Sequence, residues 1–291
     1  MPARLILNAD DFGQAAGINR AIGELFRAGV LSSATLMAGG AAFDGAVDIA
    51  RDSPGLGVGC HLVFVNGKPI LPAELVPSLL GGDGRSFRSS IFDFARAALS
   101  GALQAEHVER EARAQIERLQ RAGVQVTHVD SHKHTHLFPA VLSPVLAAAR
   151  TCGVPAVRRP FEPWWSSRLA GAPAARRMQL AILGRFGGSF DVLTADLRNE
   201  GLVPDATLGI AATGTLDQDR LRSLLLALPE QGTFELCCHP GHLDSELAGQ
   251  ATRLRESRET EYGALLEVVP EILRTAGAPQ LIHYGDLRTI L

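Results

Sequence analysis

The apolar positions of this chain follow two alternating rhythms. Short runs rich in β-branched and other apolar residues predict strands over 4–9, 34–37, 56–64, 124–129, 156–159, 234–238 and 281–284. Longer stretches with helical spacing separate several of them: 15–28, closed by Gly29, then 43–51, 106–121 and 137–151. The third of these sets Glu106 against Arg110 and Glu109 against Arg113 four residues apart, the mark of a solvated helix face. Strand-then-helix repetition predicts an α/β fold with a parallel sheet covered by helices. About seven such units closing on themselves would give a distorted (β/α) barrel. An open doubly wound sheet is the rival, but Gly13-Gln14-Ala15-Ala16-Gly17 lacks the dinucleotide spacing.

Two stretches break the alternation. Residues 66–100 are rich in Gly, Pro and Ser, and 161–174 contain Pro163-Trp164-Trp165. Long excursions from a compact α/β body commonly serve as substrate-binding loops. With no internal repeat or low-complexity tract, the simplest reading is one elaborated domain over 1–291.

Composition narrows the class. Of 291 residues, 46% are hydrophobic and 20% charged, enough for a sizeable core and too apolar for disorder. A net charge of −3 and 5% aromatics offer neither a basic field nor a stacking platform for nucleic acid. The first apolar run is short and ends in two carboxylates, unlike a secretory leader, and no run reaches the roughly 18 residues of a membrane span. Cys60, Cys152, Cys237 and Cys238 lack metal-finger spacing, so reduced, mostly buried thiols and a cytoplasmic location are expected.

The acids and histidines cluster at the predicted strand ends, where α/β folds concentrate function. Asp10-Asp11 end the first strand, His61 lies near the end of the third, and Asp130 and His132 follow 124–129. His239 follows 234–238, and His283 sits in the last strand. Two adjacent carboxylates on an apolar strand repel each other unless a cation lies nearby. A helix cap would need only one of them. If the strand direction persists through Asp130-Ser131-His132-Lys133-His134-Thr135-His136, then Asp130, His132, His134 and His136 face one way. His239, before Pro240-Gly241, is rigidly presented, as an acid/base residue should be. His107, His128 and His242 read as structural.

One carboxylate and two imidazoles around an open position make a catalytic metal site suited to Zn²⁺, Co, Ni or Fe. Such an ion acidifies water and polarises a carbonyl, while a second carboxylate takes a proton and a histidine gives one. That is machinery for hydrolysing an amide or ester. Two other readings stay open: a metal phosphohydrolase, and a non-enzymatic sugar-binding protein with a structural metal.

The blocks Asn8-Ala9-Asp10-Asp11-Phe12-Gly13, Gly59-Cys60-His61, Thr127 through His136 and Cys238-His239-Pro240-Gly241 resemble the YdjC-type carbohydrate deacetylases. That family includes chito-oligosaccharide deacetylases and deacetylases associated with hopanoid biosynthesis. The resemblance runs from residue 4 to about 159 and returns at 234–241. It implies a distorted barrel, one divalent metal (Zn²⁺ favoured, Mg²⁺ or another ion open) and removal of an N-acetyl group from a sugar or glycolipid. Carried over by motif, Asp11, His61 and His132 would hold the metal, Asp10 would be the base and His239 the acid. His136, Trp164 and Trp165 are expected to contact substrate, and a homodimer is left open.

Overall fold

The computed structural model describes residues 3–249 and 252–289. Its centre is β1 (Arg4–Phe12), buried along almost its whole length because strands flank it on both sides. In chain order follow β2 (Ser33–Leu36), β3 (Gly57–Leu62), β4 (His128–Ser131), β5 (Ala156–Val157), β6 (Ala206–Leu208), β7 (Thr233–Cys238) and β8 (Gln280–Leu281). The main sheet runs β5-β4-β3-β2-β1-β7-β6, and its paired strands are all parallel. Both faces of such a sheet are covered, which is why its strands read as near-continuous apolar runs. The sheet curls until its edges meet without a regular ladder. Val157 N–H donates to the Leu202 carbonyl (3.3 Å) and the Thr207 hydroxyl to the Arg159 carbonyl (2.7 Å). The result is the expected α/β architecture, a distorted half-barrel.

The helices wrap the outside. α1 (Ala16–Arg27) and α2 (Phe43–Arg51) follow the first two strands, and Gly29 closes α1 at a φ of 71°. The first excursion is ordered: α3 (Ile91–Leu99) starts on a Ser90 hydroxyl that accepts from the Phe92 and Asp93 amides. α4 (Ala105–Arg121) pins this excursion through buried Glu111, which accepts from the Ile70 and Leu71 amides at 2.8 and 3.2 Å. α5 (Pro139–Thr151) precedes β5. The second excursion is helical and longer than 161–174, comprising α6 (Trp164–Leu169), α7 (Ala174–Leu183), α8 (Gly187–Leu193) and α9 (Ala195–Asn199). α10 (Gln218–Leu226), α11 (Ser245–Ala248) and α12 (Glu256–Leu273) complete the set.

One strand escapes the pattern and two expectations from it fail, each for a physical reason. β6 has only three residues, too few to show a period. β8 pairs with Arg4 and Leu5, the start of β1, so His283 lies under the barrel at the end opposite the other site candidates. There its ring fills the space beside Gly57, and the neighbouring Tyr284 hydroxyl rises into the barrel to donate to Glu235 (2.7 Å). Third, the strand does not continue through 132–137. That segment is a 3-10 turn with Lys133 and His134 in left-handed conformations, φ 55° and 54°, so the period-two alignment of its histidines is lost. No helix among the described residues is long and apolar enough to cross a membrane. All four cysteines are free, and only Cys152 is not fully buried.

Candidate metal centre and active site

The carboxyl ends of β1, β3 and β4 bring three expected ligands together. The register of β1 against β2 shifts between Ala9 and Phe12, and Asp11 takes a φ of 66°. This bulge, with a left-handed residue inside it, releases Asp11 from the strand alternation, so that both adjacent carboxylates come within reach of His61. Asp11 Oδ1 then lies 3.5 Å from His61 Nε2 and 3.4 Å from His132 Nδ1. Ligand atoms bound tetrahedrally at about 2.0–2.1 Å stand about 3.3–3.4 Å apart, so the spacing suits one ion. Among the described residues Asp11 Oδ1 is buried with no hydrogen-bond partner. An orphaned carboxylate oxygen facing two imidazole nitrogens fits a cation. His132 keeps part of its side chain exposed, so the site opens to solvent on its side.

The other faces of the trio are already held. His61 Nδ1 donates to Asp130 Oδ1 (2.7 Å), which leaves Nε2 turned toward Asp11. A carboxylate behind a ligating imidazole fixes its tautomer and raises its basicity. Arg258 Nη2 donates to Asp11 Oδ2 (2.5 Å), so the second carboxylate oxygen is taken. Burial opposes the charge on Asp11, but Arg258 and then His132 and His61 outweigh it and hold the carboxyl well below its usual range.

Burial likewise opposes protonation of His61, yet Asp130, Asp10 and Asp11 prevail and raise it to about 9. Without an ion His61 is therefore charged at neutral pH, and ligation must expel its proton. Divalent-ion affinity should thus rise about tenfold per pH unit below that value and level off above it. Zinc calorimetry in buffers of different ionisation heat should show about one proton released near pH 7. A pH-independent affinity would remove His61 from the ligand set.

Beneath the trio lies a charge cluster that the pattern of the chain did not disclose. Arg158, just past β5 and fully buried, donates to Asp10 Oδ1 and Oδ2 (2.7 and 2.9 Å) and to Glu235 Oε1 (2.6 Å). It also pairs with Asp130 Oδ2 at 2.5 Å. Burial opposes ionisation of Asp10, but Arg158, with smaller help from His61 and His239, holds it well below the usual carboxylate range. Groups of Asp10 with Cys237 and His239, or with His61 and Asp130, also have ligand-like spacing. Both include carboxylates that Arg158 already neutralises, so a second cation there would meet a guanidinium.

His239 Nε2 lies 3.8 Å from Asp10 Oδ2, placing the expected acid beside the expected base. Burial pushes His239 down to about 4, although Asp10 and Asp11 act the other way. His136 corrects an expectation. It is wholly buried, with Nδ1 on the Ser131 hydroxyl (2.6 Å) and Nε2 on the Arg158 carbonyl (3.1 Å), so it braces the site from behind and cannot meet a substrate. His128 also lies inside, stacked on Tyr284 with ring centroids 3.7 Å apart. A Cβ on Gly59 would come within 2.4 Å of the His128 ring, which explains the glycine two residues before His61. Trp164 is 72% exposed, whereas Trp165 packs against the core, both on α6 where an irregular loop was expected.

Comparison with known proteins identifies the family and matches the fold. The family model described as YdjC-like protein matches residues 4–271. This chain belongs to the YdjC-like family. A Brevibacillus brevis protein named carbohydrate deacetylase is 35% identical, the match covering 99% of this chain and 97% of that one. A Geobacillus stearothermophilus carbohydrate deacetylase is 34% identical, with 98% of both chains covered. A solved structure from Enterococcus faecalis V583, described as a candidate cellobiose-phosphate cleavage protein, superposes with a TM-score of 0.75. It is 27% identical over 99% of both chains. For this YdjC-like chain, the matched span takes in every residue of the trio and of the cluster beneath it.

Proposed function

We propose that this YdjC-like protein is a metal-dependent carbohydrate N-deacetylase acting on an N-acetylglucosamine-type sugar, free or lipid-linked. The observation that carries the reading is the orphaned Asp11 Oδ1 between His61 and His132, set beside the Asp10–His239 pair. The deacetylase names of the two nearly full-length relatives support the same chemistry. Asp11, His61 and His132 would hold one divalent ion, Zn²⁺ in first place, since one carboxylate and two imidazoles leave room in the shell. Such an ion supplies Lewis acidity toward the amide carbonyl and toward water.

The remaining steps belong to the chain. Asp10 accepts a proton from the attacking water through Oδ2, the oxygen nearer His239. Neutral at rest, His239 takes up that proton at Nε2 and delivers it to the departing amine. A histidine pushed down to about 4 is a strong acid once protonated, so transfer to an amine runs downhill. Arg158 keeps Asp10 ionised before each turnover.

The test is acetate release from N-acetylglucosamine oligomers, with activity lost on chelation and restored by Zn²⁺. Asp10→Asn and His239→Ala should each lower kcat by about 10²–10⁴-fold while metal content stays level. Loss of the ion in either variant would make that residue a ligand instead.

α6 follows the carboxyl end of β5 soon after Arg158, and Trp164 is largely exposed there, with the Arg168 guanidinium 5.9 Å from its ring centre on one side. We assign it to stacking on the apolar face of a sugar ring. Trp164→Ala should raise KM several-fold with kcat nearly unchanged, as expected when uniform binding is lost. Trp165→Ala should instead lower the melting temperature. Equal kinetics for wild type and Trp164→Ala would remove the stacking role.

A further inference from the structure

The first turn of α12 touches both halves of the site at once. Arg258 and Glu261 stand three residues apart on the helix, each 1% exposed. From Arg258, Nη2 donates to the metal-side Asp11 Oδ2 (2.5 Å) and Nη1 to the His239 carbonyl (3.4 Å). The Arg258 carbonyl accepts from the Gly241 amide (3.2 Å). Glu261 Oε2 accepts from the His239 amide (2.6 Å), and its Oε1 from the Gly214 amide (3.3 Å). The peptide groups on both sides of His239 are therefore gripped by one helical turn that also holds a metal-side carboxylate.

The His239 ring has no comparable support. Its Nδ1 is buried without a hydrogen-bond partner among the described residues. A proton donor whose ring is not oriented through its far nitrogen depends on its main chain for placement. The turn itself is confined: a Cβ on Gly241 would approach Arg258 Cδ to 3.0 Å, so the Pro240-Gly241 corner lies directly on the arginine stem. Burial pushes Glu261 up to about 7 against its two backbone hydrogen bonds, so the grip on the His239 main chain is held at a cost in desolvation.

We propose that Arg258 and Glu261 are positioning residues that hold the proton donor His239 at a fixed place relative to the metal ligand Asp11. Arg258 commits Oδ2 of Asp11 to itself and leaves Oδ1 for the ion, while Glu261 sets the His239 main chain. The assignment rests on the deacetylase reading for His239 and on the ligand trio for Asp11. It makes α12, which contributes no ligand and no proton-transfer group, a determinant of catalytic alignment.

Two substrates separate alignment from general stability. Hydrolysis of an N-acetylated sugar expels an amine that needs a proton, whereas 4-nitrophenyl acetate expels a phenolate that does not. Glu261→Gln removes one of the two amide acceptors and turns an N–H toward the other amide. It should lower kcat on the amide by about 30-fold or more with KM within about 2-fold, and the loss on the ester should be at least about 10-fold smaller. Glu261→Asp, which keeps the charge but draws it back, should fall between wild type and Glu261→Gln on the amide, and serves if the glutamine variant does not fold. Arg258→Met should weaken zinc binding about 10-fold or more by calorimetry, and Arg258→Lys should restore part of it.

Equal losses on both substrates, or a lowered melting temperature with unchanged kinetics, would show that Glu261 is only structural. Zinc affinity within about 2-fold of wild type in Arg258→Met would overturn the role given to Arg258. If the wild-type protein releases acetate from no N-acetylated sugar, the deacetylase reading fails and the Glu261 role falls with it. The zinc titrations would still decide the Arg258 role independently.

Discussion

His132→Ala and Asp11→Asn should each empty the metal site and lower kcat/KM on an N-acetylated sugar by at least about 10³-fold. The size follows from the several kcal/mol of transition-state charge stabilisation that a bound divalent ion supplies, at about 1.4 kcal/mol per tenfold in rate. The effect should exceed that of losing either proton-transfer residue, because without the ion both carbonyl polarisation and water activation are gone. Metal analysis of the purified variants, with zinc titration followed by acetate release, checks it. Full zinc occupancy in both variants would show that the ion sits elsewhere. His132 is the more informative of the two, since its side chain lies outside the buried cluster beneath, whereas Asp11 also anchors Arg258.

Arg158→Met should destabilise the fold by about 3–5 kcal/mol in urea unfolding, the usual result of removing one partner from a buried ionic network. Asp10, Asp130 and Glu235 all lean on this guanidinium, and all three are buried. The sign of the pH dependence should also reverse. In the wild type, Asp10 and Asp130 are held below their usual values against the opposing effect of burial. Their stabilisation is therefore present above the ordinary carboxylate range and lost as the pH falls through their lowered values. In Arg158→Met burial meets only the weaker opposition of His61 and, for Asp10, of His239, so their values rise and stability is regained as the pH falls and the acids neutralise. A variant as stable as the wild type at pH 7, with the same pH slope, would mean that the three carboxylates are supported by other groups.

The contrast between what the chain disclosed and what it hid follows from where the chemistry sits. Asp10, Asp11, His61 and His132 were legible because each lies at the end of a short apolar run, where the break in pattern is sharp. The central strands were legible for the same reason. Arg158 was hidden because the pair Arg158-Arg159 after a two-residue strand looks like surface charge, and only burial distinguishes the first from the second. α12 was missed altogether. Its inward face begins with Arg258 and Glu261 before reaching Ala264, Leu265 and Val268, and Pro270 lies within it, so the apolar stripe is interrupted where it should be clearest. His136 and His283 misled for another reason. The direction of His136 was inferred from strand alternation and the place of His283 from the last predicted strand, but the chain turns before His136 and passes beneath the barrel at His283.

The left-handed backbone of Asp11 carries an evolutionary consequence. Substitution there must pass two independent filters, one for a carboxylate that can face a cation and one for a φ of 66°. Glutamate satisfies the first and pays the second, because outside Gly, Asn and Asp this conformation costs roughly 1–2 kcal/mol. Asparagine and glycine satisfy the second and fail the first. The adjacent Asp10 has no such backbone constraint, being absent from the left-handed residues, so the two neighbouring aspartates face unequal routes of divergence. Descendants that abandon this chemistry should therefore retain Asn or Gly at position 11 far more readily than Ala or Ser, leaving a conformational trace of a lost metal site in an otherwise altered sequence.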